Sequence, residues 1–203
     1  MIGLPFRDIN KLEILKKALS FNIKIPATIV TNNKVELLSF YTQQKSIICK
    51  PISNSNCIRI DHKTMSMYTK EIDSNHINSL PNEFLPFIFQ KKIDKEYEIR
   101  VFYLKPNFYS MAIFSQSDEK TKIDFRNYNL EHPNRIVPFN LPLKIKKSLS
   151  EFLISEKINC ASIDIIKSTD GNYYFLEINP WGQFGMLSKA CNYYIEKKLA
   201  EIL

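Results

Sequence analysis

The chain has 203 residues, of which 44% are hydrophobic and 24% charged, as in an ordinary globular protein of one large or two small domains. It contains no apolar run near the ~20 residues of a membrane span and no secretion signal at its N-terminus, so we expect a cytoplasmic protein. The net charge of +7 favours an anionic partner, but the lysines are dispersed, which makes a nucleic-acid groove the weaker interpretation.

Several common kinds of site are excluded by their missing patterns. The four cysteines form no C-x-x-C pair and the three histidines are scattered, so we expect neither a disulfide framework nor a zinc site. The chain has only four glycines and contains neither G-x-x-x-x-G-K-[ST] nor G-x-G-x-x-G, which excludes P-loop and Rossmann nucleotide sites. No G-x-S-x-G elbow for acyl hydrolysis is present.

The first half of the chain predicts short helices and strands. Asn10 and Glu13 form a capping box for an amphipathic helix with Leu12, Leu15 and Leu19 on its apolar side. We then expect a strand at 28–30, a helix from 32–33 to about residue 41, a buried strand at 46–50, a polar loop at 53–57, a strand around 65–69 and a helix at 74–80 capped by Asp73.

The second half predicts longer strands. Residues 84–93 are apolar and rich in aromatics, and 98–104 and 108–114 flank a Pro-Asn turn, which is typical of a central hairpin. Helical periodicity predicts a helix at 141–154, with Leu143 on its apolar side, and a closing helix at about 187–199, whereas 123–128 and 135–139 are less regular. Helices mixed with antiparallel hairpins predict an α+β fold.

The hairpin at 162–179 carries the strongest chemical signal. Asp170-Gly171 predicts a two-residue type I′ turn, with φ > 0 at both residues. Such a turn pairs Asp164 with Glu177, and Asn179 shares the face of Glu177 because strand side chains alternate. It also pairs Ile166 with Phe175 and Thr169 with Asn172, and it assigns Ile163, Ile165, Leu176 and Ile178 to the core face.

Two carboxylates opposed across a hairpin repel each other unless a cation lies between them. Carboxylate and amide oxygens suit Mg²⁺, although a solvated polar face is the alternative. Lys50, which ends a buried strand, and Arg100, inside a long strand, add cationic groups that a phosphate would satisfy. The alternative for Arg100 is a position facing water.

Three segments together resemble the ATP-grasp ligases: K-P-I-S-N at 50–54, Q-K-K-I-D-K-E-Y-E-I-R-V at 90–101, and D-I-I-K-S-T-D-G-N-Y-Y-F-L-E-I-N-P-W-G-Q-F at 164–184. Within that family the chain is most similar to the graspetide peptide maturases (microviridin-type and grasp-with-spasm), from Lys11 to the C-terminus. The resemblance implies two α+β lobes whose antiparallel sheets hold ATP between them. It places an N-lobe at 1–92, a hinge near 90–94 and a C-lobe with the metal-binding hairpin at 93–203. Family members usually carry a further N-terminal domain, which we expect to be absent here.

The resemblance also implies roles for individual residues. It assigns Asp164, Glu177 and Asn179 to Mg²⁺ and Lys50 to the ATP phosphates. It assigns the segment 90–93, with Gln90, Lys91 and Ile93, to adenine, largely through backbone groups, and Asp94 to the ribose. It assigns Arg100 to the transferred phosphate and Arg126 to the substrate carboxylate. The loop after Lys50-Pro51 departs from the family, because its S-N-S-N-C lacks the glycines that often cover the phosphates.

The implied reaction uses ATP to phosphorylate an Asp or Glu side chain of a precursor peptide, after which a Ser, Thr or Lys side chain closes an ester or amide ring. The implied partner is that peptide, with a leader and an acidic, hydroxyl-rich core, and neither nucleic acid nor membrane; a homodimer is compatible with the resemblance. Two alternatives stay open: a ligase that adds glutamate or another amino acid to a protein tail, and a truncated, non-catalytic module that binds nucleotide or peptide.

Overall fold

A computed structural model describes residues 10–52, 57–60, 63–66, 69–127, 129–180 and 182–202. The chain divides into two compact units. The larger unit combines the residues up to Ile25 with Asp94–Gln116 and the residues from Asn134 onward, and the smaller unit consists of Pro26–Ile93 and Ser117–Pro133. The assignment of lobes to 1–92 and 93–203 stays a prediction.

Helices are interspersed with runs of consecutive strands along the described chain. The helices are α1 (Lys11–Ser20), α2 (Lys34–Gln44), α3 (Ser74–Ser79), α4 (Leu143–Ser155), α5 (Gly185–Cys191) and α6 (Ile195–Ala200). The strands are β1 (Thr28–Asn33), β2 (Ile47–Lys50), β3 (Cys57–Ile60), β4 (Lys63–Ser66), β5 (Lys70–Ile72), β6 (Glu83–Lys91), β7 (Lys95–Leu104), β8 (Asn107–Phe114), β9 (Arg135–Pro138), β10 (Cys160–Ser168) and β11 (Tyr173–Asn179). None of the described helices combines the length and the apolar character needed to cross a bilayer.

The strands form antiparallel sheets. The larger unit contains a five-stranded sheet in the order β11-β10-β7-β8-β9, and the smaller unit a four-stranded sheet in the order β1-β6-β2-β5 together with the β3-β4 pair. Every described strand pairing is antiparallel. Antiparallel sheets packed with helices confirm the predicted α+β class.

One core cluster of the larger unit lies on one face of its sheet. Helices α1 and α4 pack there, and the fully buried Phe152 and Leu153 of α4 join Ile163 and Phe175 of the sheet in one cluster. Each such side chain contributes about 1.5–3 kcal/mol by leaving water. In the smaller unit, Leu37 and Phe40 of α2 pack with Ile47, Ile77 and Phe89 in a second cluster.

Helix α1 begins as predicted but buries a different face. The Asn10 side chain accepts hydrogen bonds from the backbone N–H groups of Leu12 and Glu13. The buried residues are Ile14, Leu15 and Ala18, whereas Leu19 is 54% exposed, so the predicted apolar side was wrong about Leu19. Leu143 was likewise wrongly placed on the buried side of α4, where it is 83% exposed in the first turn.

Three other expectations are corrected by the structure. The closing helix is two helices, because Asn192 and Tyr194 adopt left-handed φ angles of 55° and 50° that interrupt it. Residues 65–66 of the strand expected around 65–69 belong to β4, whereas residues 67–68 lie outside the described residues. The less regular segment at 135–139 contains β9. Residues 53–56 of the predicted polar loop lie outside the described residues, and residue 57 begins β3.

Candidate functional site

The hairpin of β10 and β11 has a longer turn than predicted. The Gly171 N–H donates to the Ser168 carbonyl at 3.0 Å, and the Ser168 N–H donates to the Asn172 carbonyl at 2.9 Å. Within residues 168–172, only Gly171 has a positive φ, of 85°, so residues 169–171 form a three-residue loop that ends in a left-handed glycine. The type I′ turn was therefore wrong, as were the pairings of Ile166 with Phe175 and of Thr169 with Asn172.

A bulge in β11 restores the predicted pairing at the other end of the hairpin. Ile165 pairs with Phe175 while the neighbouring Asp164 pairs with Glu177, which leaves Leu176 as the extra residue. Phe175 is 1% exposed and occupies the core position that the sequence assigned to Leu176, which is only half-buried. The predicted opposition of Asp164 and Glu177 is confirmed.

Charged side chains form a row across three strands at this point. Arg100 of β7 pairs with Asp164 of β10, which pairs with Glu177 of β11. The Arg100 Nη1 donates to both carboxylate oxygens of Asp164 at 2.7 Å, and the two side chains are only 12% and 14% exposed. The alternative in which Arg100 faces water is therefore wrong, and its charge is matched inside the protein.

Lys11, at the start of α1, extends the row and was not singled out from the sequence. Its Nζ lies 3.2 Å from Oε2 of Glu177. The row thus carries two positive and two negative charges in the order Lys11, Glu177, Asp164, Arg100. Because β11 is an edge strand, the Lys11 side chain of the helix can reach the Glu177 carboxylate on it. Residues 11 and 177 are far apart in the sequence, so no local pattern predicts this contact.

Asn179 lies in the next row, opposite Ser162. Its carbonyl accepts a hydrogen bond from the Gly182 N–H at 3.2 Å, and the buried Ser162 Oγ donates to the Gln183 carbonyl at 3.0 Å. Gly182 has a φ of 58°, and a Cβ there would lie 2.9 Å from the ring of Phe102. Only glycine therefore lets the chain turn so closely behind Asn179.

The donor set of this site fits a hard cation. Asp164, Glu177 and Asn179 supply two carboxylates and one amide oxygen, the ligand types that Mg²⁺ takes. Within the described ranges, no three His, Cys, Asp or Glu side chains are grouped as a metal site.

A buried acidic group lies on the same strand as Arg100. Glu98 is 7% exposed and contacts Lys95 and the Ser115 hydroxyl. Burial raises the pKa of Glu98, and the negative charge of Asp164 raises it further. Lys95 and the hydrogen bond from Ser115 lower this pKa but do not cancel the increase. Asp94 just precedes β7, and its carbonyl accepts a hydrogen bond from the Thr169 N–H at 2.9 Å, which ties the hairpin loop to this strand.

The expected adenine and phosphate residues lie in the smaller unit. Lys50 ends β2 and is half-buried, and Gln90 lies in β6, next to Thr28 of β1. The Gln90 side chain is 1% exposed and its Nε2 donates to the Thr28 Oγ1 at 2.9 Å, whereas its Oε1 is buried without a hydrogen-bond partner among the described residues. A buried amide oxygen of this kind is an acceptor that a bound ligand could satisfy.

The backbone beyond Gln90 is already engaged. The Lys91 N–H donates to the Ala27 carbonyl at 2.9 Å, and the Lys92 N–H donates to the Ser46 carbonyl at 3.0 Å. Ile93 follows, half-buried, at the end of this segment. Two of the backbone donors expected to serve a ligand therefore hold the segment in place instead.

Arg126 is held by a residue that the sequence analysis did not single out. Its Nε and Nη2 donate to the two carboxylate oxygens of Asp124 at 2.8 and 2.6 Å, and the Thr69 N–H donates to the same carboxylate at 3.2 Å. Burial alone would raise the pKa of Asp124, but the hydrogen bonds and charge of Arg126 outweigh it and lower that pKa to about 2. The only sequence signal of this pair was the D-x-R spacing of Asp124 and Arg126.

Each unit therefore brings together part of the predicted set. The larger unit holds Arg100, Asp94 and the three predicted metal ligands, and the smaller unit holds Arg126, Lys50, Gln90, Lys91 and Ile93.

Similarity to known proteins appears at the level of solved structures. No protein-family model and no curated protein matches the chain. A RiPP-associated ATP-grasp ligase of Chryseobacterium gregarium, in complex with ADP and a leader and core peptide, is 31% identical with a TM-score of 0.82, over 88% of this chain and 54% of that chain. The macrocyclase MdnC of Microcystis aeruginosa MRC, bound with the precursor peptide MdnA, is 28% identical with a TM-score of 0.74, over 88% of this chain and 53% of that one.

The same fold occurs at lower identity. The ATP-grasp ligase PsnB, complexed with a phosphomimetic variant of a minimal precursor, Mg and ADP, is 20% identical with a TM-score of 0.72, over 91% of this chain and 54% of that chain. The chain thus spans about half the length of each of these solved structures.

Proposed function

We propose that this chain, whose fold is that of the graspetide-type ATP-grasp ligases, uses Mg-ATP to join side chains of a ribosomally made peptide. The observation that carries the proposal is the row of Arg100, Asp164 and Glu177 across three strands, with Asn179 beside it. Asp164, Glu177 and Asn179 supply oxygen ligands, Arg100 balances part of their negative charge, and the sheet holds them in place. In a chain of this fold, such a site suits a magnesium–nucleotide complex.

The nucleotide-binding residues are Lys50, Gln90, Lys91, Ile93 and Asp94. Lys50 offers an ammonium group at the end of a strand, which suits a phosphate. The buried Gln90 Oε1 has no donor among the described residues, and it can accept a hydrogen bond from the amino group of adenine. Because the backbone N–H groups of Lys91 and Lys92 are engaged, we assign a larger share of adenine recognition to the Gln90 side chain than the sequence implied.

Asp164, Glu177 and Asn179 would hold the Mg²⁺, which when bound neutralises charge on the phosphates. Without it, Arg100 and Lys11 balance the two carboxylates. These two cations then lie beside the metal ligands, where they can attract the phosphates of the nucleotide.

The proposed reaction has two steps. A carboxylate oxygen of a peptide Asp or Glu attacks the γ-phosphorus of ATP, so that ADP leaves and an acyl phosphate forms. The hydroxyl oxygen of a Ser or Thr (or the amine of a Lys) of the same peptide then attacks the acyl carbon, phosphate leaves, and the proton of the nucleophile is released to the phosphate or to water. Arg100 stabilises charge on the transferred phosphoryl group, and Arg126 binds the peptide carboxylate. Such chemistry requires mainly positioning and charge neutralisation, and the net charge of +7 suits an acidic peptide.

Mass spectrometry of a candidate peptide tests this function. The chain is incubated with Mg-ATP and a peptide that has a leader and a core rich in Thr and Asp or Glu. We expect ADP release and the loss of one water mass per ring, and hydroxylamine should trap the acyl phosphate as a hydroxamate. Glu177→Gln should abolish all three signals, and Glu151→Gln, on the exposed side of α4, serves as the matched control.

Two results would refute the proposal. In a parallel incubation with free glutamate, the gain of one glutamate residue mass instead of the loss of water would identify an amino-acid ligase. Nucleotide binding without ADP or hydroxamate formation would identify a non-catalytic binding module.

A further inference from the structure

A second concave site lies in the larger unit, across the sheet from Asp164 and Glu177. It is a cavity of about 300 Å³, formed by the loop after α1, the first turns of α4 and the tip of the β10–β11 hairpin. Ile165 and Phe175 lie in its wall, and Ile165 points away from the face of its neighbour Asp164 because strand side chains alternate. The cavity is therefore separate from the proposed metal site.

The cavity combines an apolar floor with a cationic mouth. Ile165 and Phe175 are 2% and 1% exposed and belong to the core, whereas Lys24 and Lys144 are exposed at the edge of the cavity. The Lys24 Nζ donates to the Asn172 Oδ1 across the opening at 2.6 Å. None of the described residues that line the cavity is acidic.

The first turn of α4 is built against the usual preference of a helix. Its N-cap is Pro142, no side chain caps it, and its first turn contains Lys144 but no acidic residue. The free N–H groups at a helix start carry partial positive charge, so a lysine there is unfavourable and an anion is favourable. Local rules of this kind are broken mainly at functional sites, and here the helix start opens onto the cavity.

The shape and charge of the cavity decide between kinds of ligand. A volume of about 300 Å³ is at the lower end of ligand sites, large enough for one apolar side chain with its flanking backbone. The ammonium groups of Lys24 and Lys144 and the positive end of α4 favour a negatively charged group, so the ligand should carry a carboxylate next to that side chain. A nucleotide already has assigned residues elsewhere in the chain.

We propose that this cavity is an anchoring site for the acidic peptide that the chain modifies. An aliphatic or aromatic side chain of the peptide enters between α4 and the hairpin, and a neighbouring carboxylate lies between Lys24 and Lys144. The identity of the peptide rests on the proposed function, whereas the binding site itself does not. Anchoring on the far face of the sheet would raise the local concentration of the peptide without occupying the catalytic residues.

Binding can be measured without nucleotide, so that the outcome does not depend on catalysis. The probe is a fluorescein-labelled peptide with one phenylalanine between two glutamates, followed by anisotropy against the whole chain. Replacing the phenylalanine by alanine should weaken binding roughly tenfold, because the apolar contact is lost. Replacing the glutamates by glutamines should weaken it about two- to fivefold per charge.

Variants of the chain locate the site. Lys144→Gln and Lys24→Gln should each weaken binding of the probe about two- to fivefold, and Ser148→Trp should prevent it by filling the cavity. Lys147→Gln is the matched control, because Lys147 is exposed on the same helix but does not line the cavity. Unchanged melting temperatures verify that each variant is folded.

Two results would overturn the anchoring site. Equal weakening by Lys147→Gln and Lys144→Gln would show non-specific attraction to a basic surface. Undiminished binding by Ser148→Trp would place the peptide elsewhere. Lys24→Gln and Lys144→Gln could weaken binding while Lys147→Gln does not, and yet no ADP form with any peptide. That outcome would support the anchoring site and refute the proposed catalytic function.

Discussion

Replacement of Asp124 by asparagine tests how Arg126 is positioned. The Asp124 carboxylate accepts two hydrogen bonds from the Arg126 guanidinium, one from the Arg126 backbone N–H and one from the Thr69 N–H. The Asp124 side chain is 6% exposed, whereas that of Arg126 is 36% exposed, so water screens the pair mainly from the Arg126 side. Asparagine keeps the shape of the side chain but removes its charge.

The pKa of Asp124 sets the size of the expected effect. It falls from an ordinary value of 3.8 to about 2 in the folded chain. A shift of this size corresponds to about 2 kcal/mol of stability at neutral pH. Because the folded pKa is the lower one, this stability is fully present above pH 3.8 and is lost as the pH falls towards 2.

Urea denaturation at several pH values measures this contribution. Asp124→Asn should lower the free energy of unfolding by about 2 kcal/mol at pH 7 and at pH 5, and the difference between the two proteins should shrink below pH 4. Amide hydrogen exchange at Thr69 should become faster in the variant, because its acceptor is weakened. Glu119→Gln is the control, since Glu119 is exposed and pairs only with Lys122 at 3.2 Å among the described contacts.

Kinetics separate positioning from stability. If Arg126 binds the peptide carboxylate, Asp124→Asn should raise KM for the peptide while KM for ATP stays the same. A loss of stability that is equally large at pH 2 and pH 7, or no greater than that of Glu119→Gln, would refute the assignment of the lowered pKa to the Arg126 pair.

Four further substitutions test the remaining assignments. Glu177→Gln should abolish Mg-ATP turnover with an unchanged melting temperature, because the core face is untouched; activity in the variant would remove Glu177 from the metal site. Lys50→Ala should weaken ATP binding in calorimetry, and unchanged affinity would place Lys50 off the site. Lys11→Ala should bind Mg²⁺ alone more tightly, since the ammonium group of Lys11 then no longer competes for Glu177, and weaker binding would contradict this. Gly171→Ala should lower stability by about 1 kcal/mol because its φ is 85°, and an unchanged unfolding midpoint would argue against the left-handed turn.

Local signals predicted much of the fold. Asn10 and Asp73 cap α1 and α3 as their side chains indicated, and β7 and β8 form the hairpin expected around a Pro-Asn turn. These features depend on a few neighbouring residues, so a single sequence contains them. The break between α5 and α6 at Asn192 was missed because the apolar periodicity continues across it.

Features that depend on distant residues could not be predicted in the same way. Arg100 lies in a strand whose residues are buried on both faces, so alternation cannot tell whether its side chain meets water or a carboxylate. The contact of Lys11 with Glu177 joins opposite ends of the chain. Gln90 was expected to act through its backbone, and only the sheet around it reveals that its side-chain oxygen is buried without a partner among the described residues.

The β10–β11 hairpin explains why its functional end was predicted although its turn was not. The loop is one residue longer than expected, which alone would have moved Glu177 away from Asp164 and turned it to the other face. The bulge at Leu176 cancels this shift, because it lets Phe175 and Ile178 both reach the core while Glu177 points away from it. Burial of the two apolar residues thus selects the register near Asp164 independently of the turn. The opposition of Asp164 and Glu177 could be predicted because the apolar residues beside them must reach the core and the carboxylates must stay out of it. The length of the loop depends on packing with distant residues, which the sequence alone does not show.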